Sequence, residues 1–225
     1  MSGSLDQYPG CGSSPRVLPD NVAAGLLRRI SPLTIKEAMP PRQKTIKLTS
    51  PPAGFQYADG FITPAEQADL AHQIEGLPLK EFEFHGYLGK RRTLSFGWHY
   101  SFAEASLDRT NAIPEFLLKL REMAAEFAGL KPGDLPHVLL TEYSPGTPIG
   151  WHRDKGVFED VIGISLLAAC PFRLRRKTAD GWERYTQTLQ PRSVYLLRGV
   201  VRSEWEHSIP PVESLRYSIT FRSLR

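Results

Sequence analysis

From residue 137 onward the chain runs in short stretches of alternating or continuous apolar character, separated by turn residues. Segments 137–143, 149–154, 161–168, 172–177, 184–189, 193–198, 205–209 and 216–223 read as eight strands. Ser144-Pro145-Gly146 and Asp180-Gly181 are among the turn signals between them. Short strands at even spacing predict a sandwich or barrel, and eight of them fit a jelly roll. Ahead of the strands the period becomes helical. Thr63-Pro64-Ala65-Glu66 supplies an N-cap, a proline at the first helical position and a capping box, which predicts a helix ending at Gly76. Phe116, Leu117, Leu120, Met123, Ala124 and Phe127 recur at helical spacing and predict a second helix from Pro114 to Gly129. The expected fold is mainly β, with the helices buttressing one outer sheet face.

Residues 1–50 are rich in Pro, Gly and Ser and read as a tail, flexible or laid along the body, with one short helix at 23–30. Residues 51–225 read as a single domain. Between the helices, residues 81–102 alternate roughly and carry Phe82, Phe84, Tyr87, Phe96, Trp98 and Tyr100. They predict a β-hairpin outside the eight-strand set, with its turn at Leu88-Gly89-Lys90.

Composition narrows this little. The 225 residues are 41% hydrophobic and 23% charged, ordinary for a globular chain. Two cysteines, Cys11 and Cys170, make no disulfide framework and favour a reducing compartment. No apolar run approaches membrane-span length and no secretory signal opens the chain, so a cytoplasmic protein without membrane association is expected. A net charge of +4 moves an anionic partner only slightly forward. Oligomeric state is left open.

The chemistry concentrates late in the chain. His152 and Asp154 are two apart, so on a strand both point to one face. His207 sits in a later strand. Two imidazoles and a carboxylate take one face of Fe(II) and leave the other open for oxygen and a co-substrate. Zinc accepts the same three ligands, and a surface strand end is the plain alternative for His-x-Asp. The last strand separates these readings. In Arg216-Tyr217-Ser218-Ile219-Thr220-Phe221-Arg222 the even positions share one face, with an arginine at each end. Arginine pairs with carboxylates through two parallel hydrogen bonds, and the two lie about 20 Å apart along an extended strand. One is placed to hold the far end of a dicarboxylate such as 2-oxoglutarate, the other to work near the metal.

These pieces, with Tyr143-Ser144-Pro145-Gly146 ahead of them, resemble the AlkB-like 2-oxoglutarate and Fe(II)-dependent dioxygenases over roughly residues 55–225. The resemblance implies a double-stranded β-helix of the jelly-roll type. It implies that His152, Asp154 and His207 ligate iron and are the catalytic set. Arg216, assisted by Tyr143, would pair with the distal carboxylate of 2-oxoglutarate, and Arg222 would sit by the carboxylate at the metal. Ser218 stands in the co-substrate strand where the family carries Asn, and Thr141 replaces a second Asn. With O2, such enzymes convert 2-oxoglutarate to succinate and carbon dioxide and remove N-alkyl groups from nucleobases as aldehydes. Gly156 stands where the bacterial repair enzyme has an acidic residue facing the damaged base.

The segment 81–102 resembles the nucleotide-recognition lid of that family. Lys90, Arg91 and Arg92 are candidates for phosphate contacts. Trp98 and Tyr100 are candidates for stacking on an extruded base of single-stranded DNA or RNA. Alternation puts Phe96, Trp98 and Tyr100 on one face, where burial under the hairpin is the commoner fate of each ring. The run Arg173-Leu174-Arg175-Arg176-Lys177 either extends a phosphate-binding surface or blunts an edge strand. An oxygenase acting on a protein side chain or small molecule, and a non-catalytic module on the same fold, are the remaining readings.

Overall fold

The computed structural model describes residues 44–84, 87–101, 104 and 106–225. Strands β1 (Lys44–Lys47) and β2 (Phe55–Ala58) precede helix α1 (Pro64–Glu75). Next come β3 (Lys80–Phe84), β4 (Tyr87–Phe96), β5 (Trp98–Ser101) and β6 (Ser106–Arg109). A short 3-10 turn at Glu115–Leu117 leads into α2 (Leu118–Ala128). The C-terminal half holds β7 (His137–Tyr143), β8 (Ile149–His152), β9 (Phe158–Leu166), β10 (Cys170–Thr178) and β11 (Gly181–Leu189). It closes with β12 (Ser193–Leu197), the short helix α3 (Val200–Glu204), β13 (Glu206–Ile209) and β14 (Arg216–Leu224). All eight expected strands are present, with altered ends.

They form a jelly roll of two main sheets. The larger runs β2-β12-β9-β14-β7-β4-β3 and the smaller β1-β11-β10-β13-β8. The central strands of the larger sheet are buried on both faces, and alternation sorts their side chains. Val138, Leu140, Ile162, Ile164, Ile219 and Phe221 turn outward onto α1 and α2, meeting Leu70, Ile74, Leu120 and Ala124. The other face, with Tyr143, Val161 and Tyr195, packs against Phe172, Leu174 and Ile209 of the smaller sheet. Each fully buried aliphatic side chain contributes about 1.5–3 kcal/mol of transfer free energy.

The helix signals act as expected. Thr63 Oγ1 accepts from Glu66 N at 3.2 Å, and Glu66 Oε2 accepts from Thr63 N at 2.9 Å. Gly129 ends α2 in the left-handed region at φ +64°.

Four expectations need correction. First, the turn of the 81–102 hairpin is not at Leu88-Gly89-Lys90, which lies inside β4; Phe84 pairs with Tyr87. Second, the hairpin is not outside the barrel strands. Arg92–Phe96 pair with Glu142–Val138 of β7, so it extends the larger sheet. Third, β8 ends at His152 and Asp154 lies in the turn after it. Fourth, residues 44–47, counted with the tail, form β1 and pair in parallel with β11. The helix expected at 23–30 lies outside the described residues.

Candidate active site

A cavity of about 560 Å³ lies between the two sheets. His152, Asp154 and His207 share it with residues from β4, β7, β12 and β14. His207 pairs with His152 across β13 and β8, and their rings lie 4.2 Å apart between centroids. The register shifts between His207 and Ile209, so the edge strand bulges beside the pair. The turn after β8 brings Asp154 back to them. Asp154 Oδ1 is 3.9 Å from His152 Nε2. One ligand atom from each of the three lies within 4.8 Å of the others, a spacing that fits one metal ion.

Their protonation also fits a metal. Burial pushes the His207 imidazole down to about 3, helped by His152 alongside. His152 is lowered mainly by burial. Both rings are neutral near pH 7 and offer lone pairs. His152 Nδ1 lies 2.9 Å from the Gly150 carbonyl. A carbonyl can only accept, so this bond places the proton on Nδ1 and leaves Nε2 free as a donor atom to metal. Burial alone would raise Asp154. Arg222, then the two histidines, hold it below the usual carboxylate range. Arg222 Nε donates to Asp154 Oδ2 at 3.1 Å.

Residues of β14 sort by alternation. Ser218, Thr220 and Arg222 line the cavity, while Tyr217, Ile219 and Phe221 join the helix-side core. Arg216 lies deeper, only 1% exposed. Its Nε donates to Ser165 Oγ at 3.1 Å, and its guanidinium lies 5.1 Å from the Tyr143 ring centroid. Its Nη1 has no hydrogen-bond partner among the described residues. A buried guanidinium with an unused donor and no carboxylate is costly unless an anion completes it. This is the fit expected for the far carboxylate of a dicarboxylate co-substrate. Burial raises the phenol of Tyr143, against the pull of Arg216, and so keeps it a neutral donor.

At the mouth the expected substrate residues divide. Arg91 lines the cavity and lies 3.7 Å over the Phe82 ring. Tyr100 also lines it, with Lys155 Nζ 5.2 Å from its ring centroid. Lys90 is exposed and is not part of the lining. Arg92 points to the helix side, where Nε and Nη2 donate to the Glu142 carboxylate at 2.8 and 2.5 Å. Gly97, at φ +77°, breaks the alternation. Phe96, still in register with Val138 on β7, enters the core, while beyond Gly97 Trp98 stacks with Arg109 at a separate depression. The three rings do not share a face.

Several cavity residues gave no sequence signal. Tyr195 comes from a strand that reads as a plain apolar run, and Phe172 from the strand that carries the basic run 173–177. Gly163 makes room for Tyr195: a Cβ there would stand 2.2 Å from its ring. Arg202 donates to the carbonyls of Lys155 and Phe158 at 2.5 and 2.7 Å and braces the turn after Asp154.

A family model of the 2OG-Fe(II) oxygenase superfamily matches residues 54–222. The chain belongs to this superfamily. It is an AlkB-like oxygenase, and Fe(II), 2-oxoglutarate and O2 are its cofactor and co-substrates. The oxygenase is 26% identical over 191 residues to the "Alkylated DNA repair protein ALKBH8 homolog" of Arabidopsis thaliana. That match covers 73% of this chain and 54% of the relative, so the chain spans about half that protein's length. The "Uncharacterized protein L905" of Acanthamoeba polyphaga mimivirus is 24% identical over 192 residues, covering 76% of this chain and 85% of that one. The solved structure of OsALKBH1 shares the fold with TM-score 0.56, over 76% of this chain and 96% of that one, at 18% identity.

Proposed function

We propose that this oxygenase removes N-alkyl groups from nucleobases in single-stranded DNA or RNA, as in alkylation repair or RNA demethylation. The observation that carries the chemistry is the pairing of one cavity's three-ligand cluster with a buried arginine whose Nη1 has no hydrogen-bond partner among the described residues. In this reading His152, Asp154 and His207 hold the iron. Arg216, Tyr143 and Ser218 take the distal carboxylate of 2-oxoglutarate, and Arg222 keeps Asp154 ionised and oriented. When bound, iron, 2-oxoglutarate and O2 oxidise the alkyl carbon and yield succinate and carbon dioxide.

The chain's own residues position the base. Tyr100 and Phe82 give apolar faces at the mouth, and Arg91 and Lys155 set cations beside those rings. A planar base fits such walls, and a flanking phosphate fits the cations. Lys90 adds a phosphate contact at the rim. Arg92 and Trp98 serve the frame of the hairpin instead. Phe172 and Tyr195 exclude water from the deep end. The resemblance to a protein named for alkylated DNA repair supports a nucleobase over other substrates. Residence in the cytoplasm belongs to the same reading; among the described residues no helix is long and apolar enough to cross a membrane.

The test is product analysis with Fe(II)-loaded protein, 2-oxoglutarate, and a panel of N-methylated single-stranded DNA, RNA and lysine peptides. Loss of the methyl group from a nucleic acid, and not from the peptides, is expected. Methyl loss from peptides alone would move the oxygenase to protein substrates.

A further inference from the structure

The basic run on β10 has a place that its sequence left open. β10 is an interior strand, between β11 and β13, so Arg173, Arg175 and Lys177 do not blunt an edge. Leu174 turns inward and pairs with His207. The arginines on either side of it therefore project from the outer face of the smaller sheet. There they meet two indoles. Arg175 lies 4.3 Å from the Trp151 ring centroid and 4.5 Å from that of Trp182. Arg173 lies 5.1 Å from Trp151, and Arg184 on β11 lies 5.8 Å from Trp151 and 5.9 Å from Trp182.

The charge on this face is one-sided. Arg175 pairs with Glu206 at 2.6 Å. Arg173 instead donates to the Ser208 hydroxyl at 3.1 Å, and neither Arg173 nor Arg184 has a carboxylate partner among the described residues. Lys47 and Lys177 extend the patch, since Lys47 is in register with Arg184 and Lys177 with Trp182. The stripe crosses from β8 to β11, about 14 Å at ordinary strand spacing. It also begins at the active site: Trp151 immediately precedes His152 and lines the mouth of the cavity.

We infer that the outer face of the smaller sheet is a track for single-stranded nucleic acid, carrying the strand that flanks the target nucleotide. This rests on the nucleic-acid reading above and adds a second surface, on the smaller sheet rather than the hairpin. Indoles offer faces on which bases stack whatever their sequence, and arginines between them meet phosphates. Arginine–indole stacking also holds the guanidiniums in place before the strand arrives. Trp151, touching both regions, marks where the strand passes from track to cavity.

The test uses full-length protein and an unmodified, fluorophore-labelled single-stranded oligonucleotide of about 12 nucleotides, with anisotropy followed across a salt series. Arg173→Gln with Arg184→Gln should weaken binding at least tenfold at low salt. The slope of log affinity against log salt should flatten by about 1.4, two phosphates at about 0.7 each. Trp182→Leu should weaken binding about fivefold or more with the slope unchanged. Lys47→Glu with Lys177→Glu, at the exposed margin, tests the same face without touching the stack and should also flatten the slope. On a methylated strand all three variants should raise KM and leave kcat unchanged. If wild-type protein binds the strand and every variant keeps its affinity and slope, the track is overturned while the demethylase reading stands. If the variants lose binding as expected but no methyl group is ever removed, the track stands and the demethylase reading falls.

Discussion

Arg222 on β14 donates through Nε to Oδ2 of Asp154 at 3.1 Å, and both side chains are about nine-tenths buried. The pair links the end of the C-terminal strand to the one acidic member of the three-ligand cluster. Removing a single partner of a buried pair leaves an uncompensated charge, at a cost of about 3 kcal/mol. Arg222→Met should lower the stability of metal-free protein in urea by that order. Saturating Co(II), which takes over the carboxylate, should restore part of the loss. A variant as stable as wild type without metal would show that the pair does not hold Asp154.

Arg216 behaves oppositely. It is buried, with an unused Nη1 and no carboxylate partner among the described residues. Replacing a costly buried charge by a similar apolar volume is often neutral or stabilising. Arg216→Met should leave the ligand-free melting temperature unchanged or higher. It should abolish the stabilisation that 2-oxoglutarate gives to wild-type protein loaded with a redox-inert metal, and raise the 2-oxoglutarate KM at least tenfold. Equal stabilisation of both proteins by 2-oxoglutarate would remove Arg216 from co-substrate binding.

Gly163 faces the Tyr195 ring too closely for any side chain. Gly163→Ala should cost about 1–3 kcal/mol, the usual range for overpacking, and drive the ring into the cavity. Tyr195→Phe should not relieve it, because the nearest ring atoms are carbons. Tyr195→Leu should relieve it. A double-mutant cycle in urea reads this coupling, and strict additivity would contradict the contact.

His137 is buried on β7, and burial, then Arg222, lowers its imidazole to about 2. In the unfolded chain it titrates near 6.5. Between these values the unfolded state binds a proton that the folded state does not, so stability rises with pH. Its contribution is full above the unfolded pKa and is lost as pH falls below it, by about 1.4 kcal/mol per unit. His207 and His152 share this direction without metal. Urea midpoints of metal-free protein should therefore fall from about pH 7.5 to about 5.5, and less steeply in His137→Leu. Parallel slopes in the two proteins would show that His137 takes up its proton in the fold as readily as in the unfolded chain.

What could be read from the residues, and what could not, has a physical pattern. β14 was legible because its two faces differ in kind, arginine and hydroxyl against aromatic and aliphatic. The capping box at Thr63 and the left-handed Gly129 were legible because caps are local. Tyr195 was not, since Ser-Val-Tyr-Leu-Leu is buried on both faces and alternation cannot say which side meets the cavity. Asp154 reached the cluster through a turn rather than along the strand assumed for it. Trp98 left the face assigned to it because one residue, Gly97, takes a positive φ. Strand partners are non-local, so whether β10 was edge or interior could not be decided from Arg173-Leu174-Arg175-Arg176-Lys177 alone.

The most direct measurement counts products in one reaction: succinate formed and methyl groups lost from a methylated single strand, with Fe(II)-loaded wild type and with Asp154→Ala. Wild type should produce the two in near-equal amounts, and Asp154→Ala should produce neither while keeping its fold by circular dichroism. Succinate formed at the same rate by Asp154→Ala, or by wild type with no methyl loss from any strand, would contradict the assignment of the metal site or of the substrate respectively.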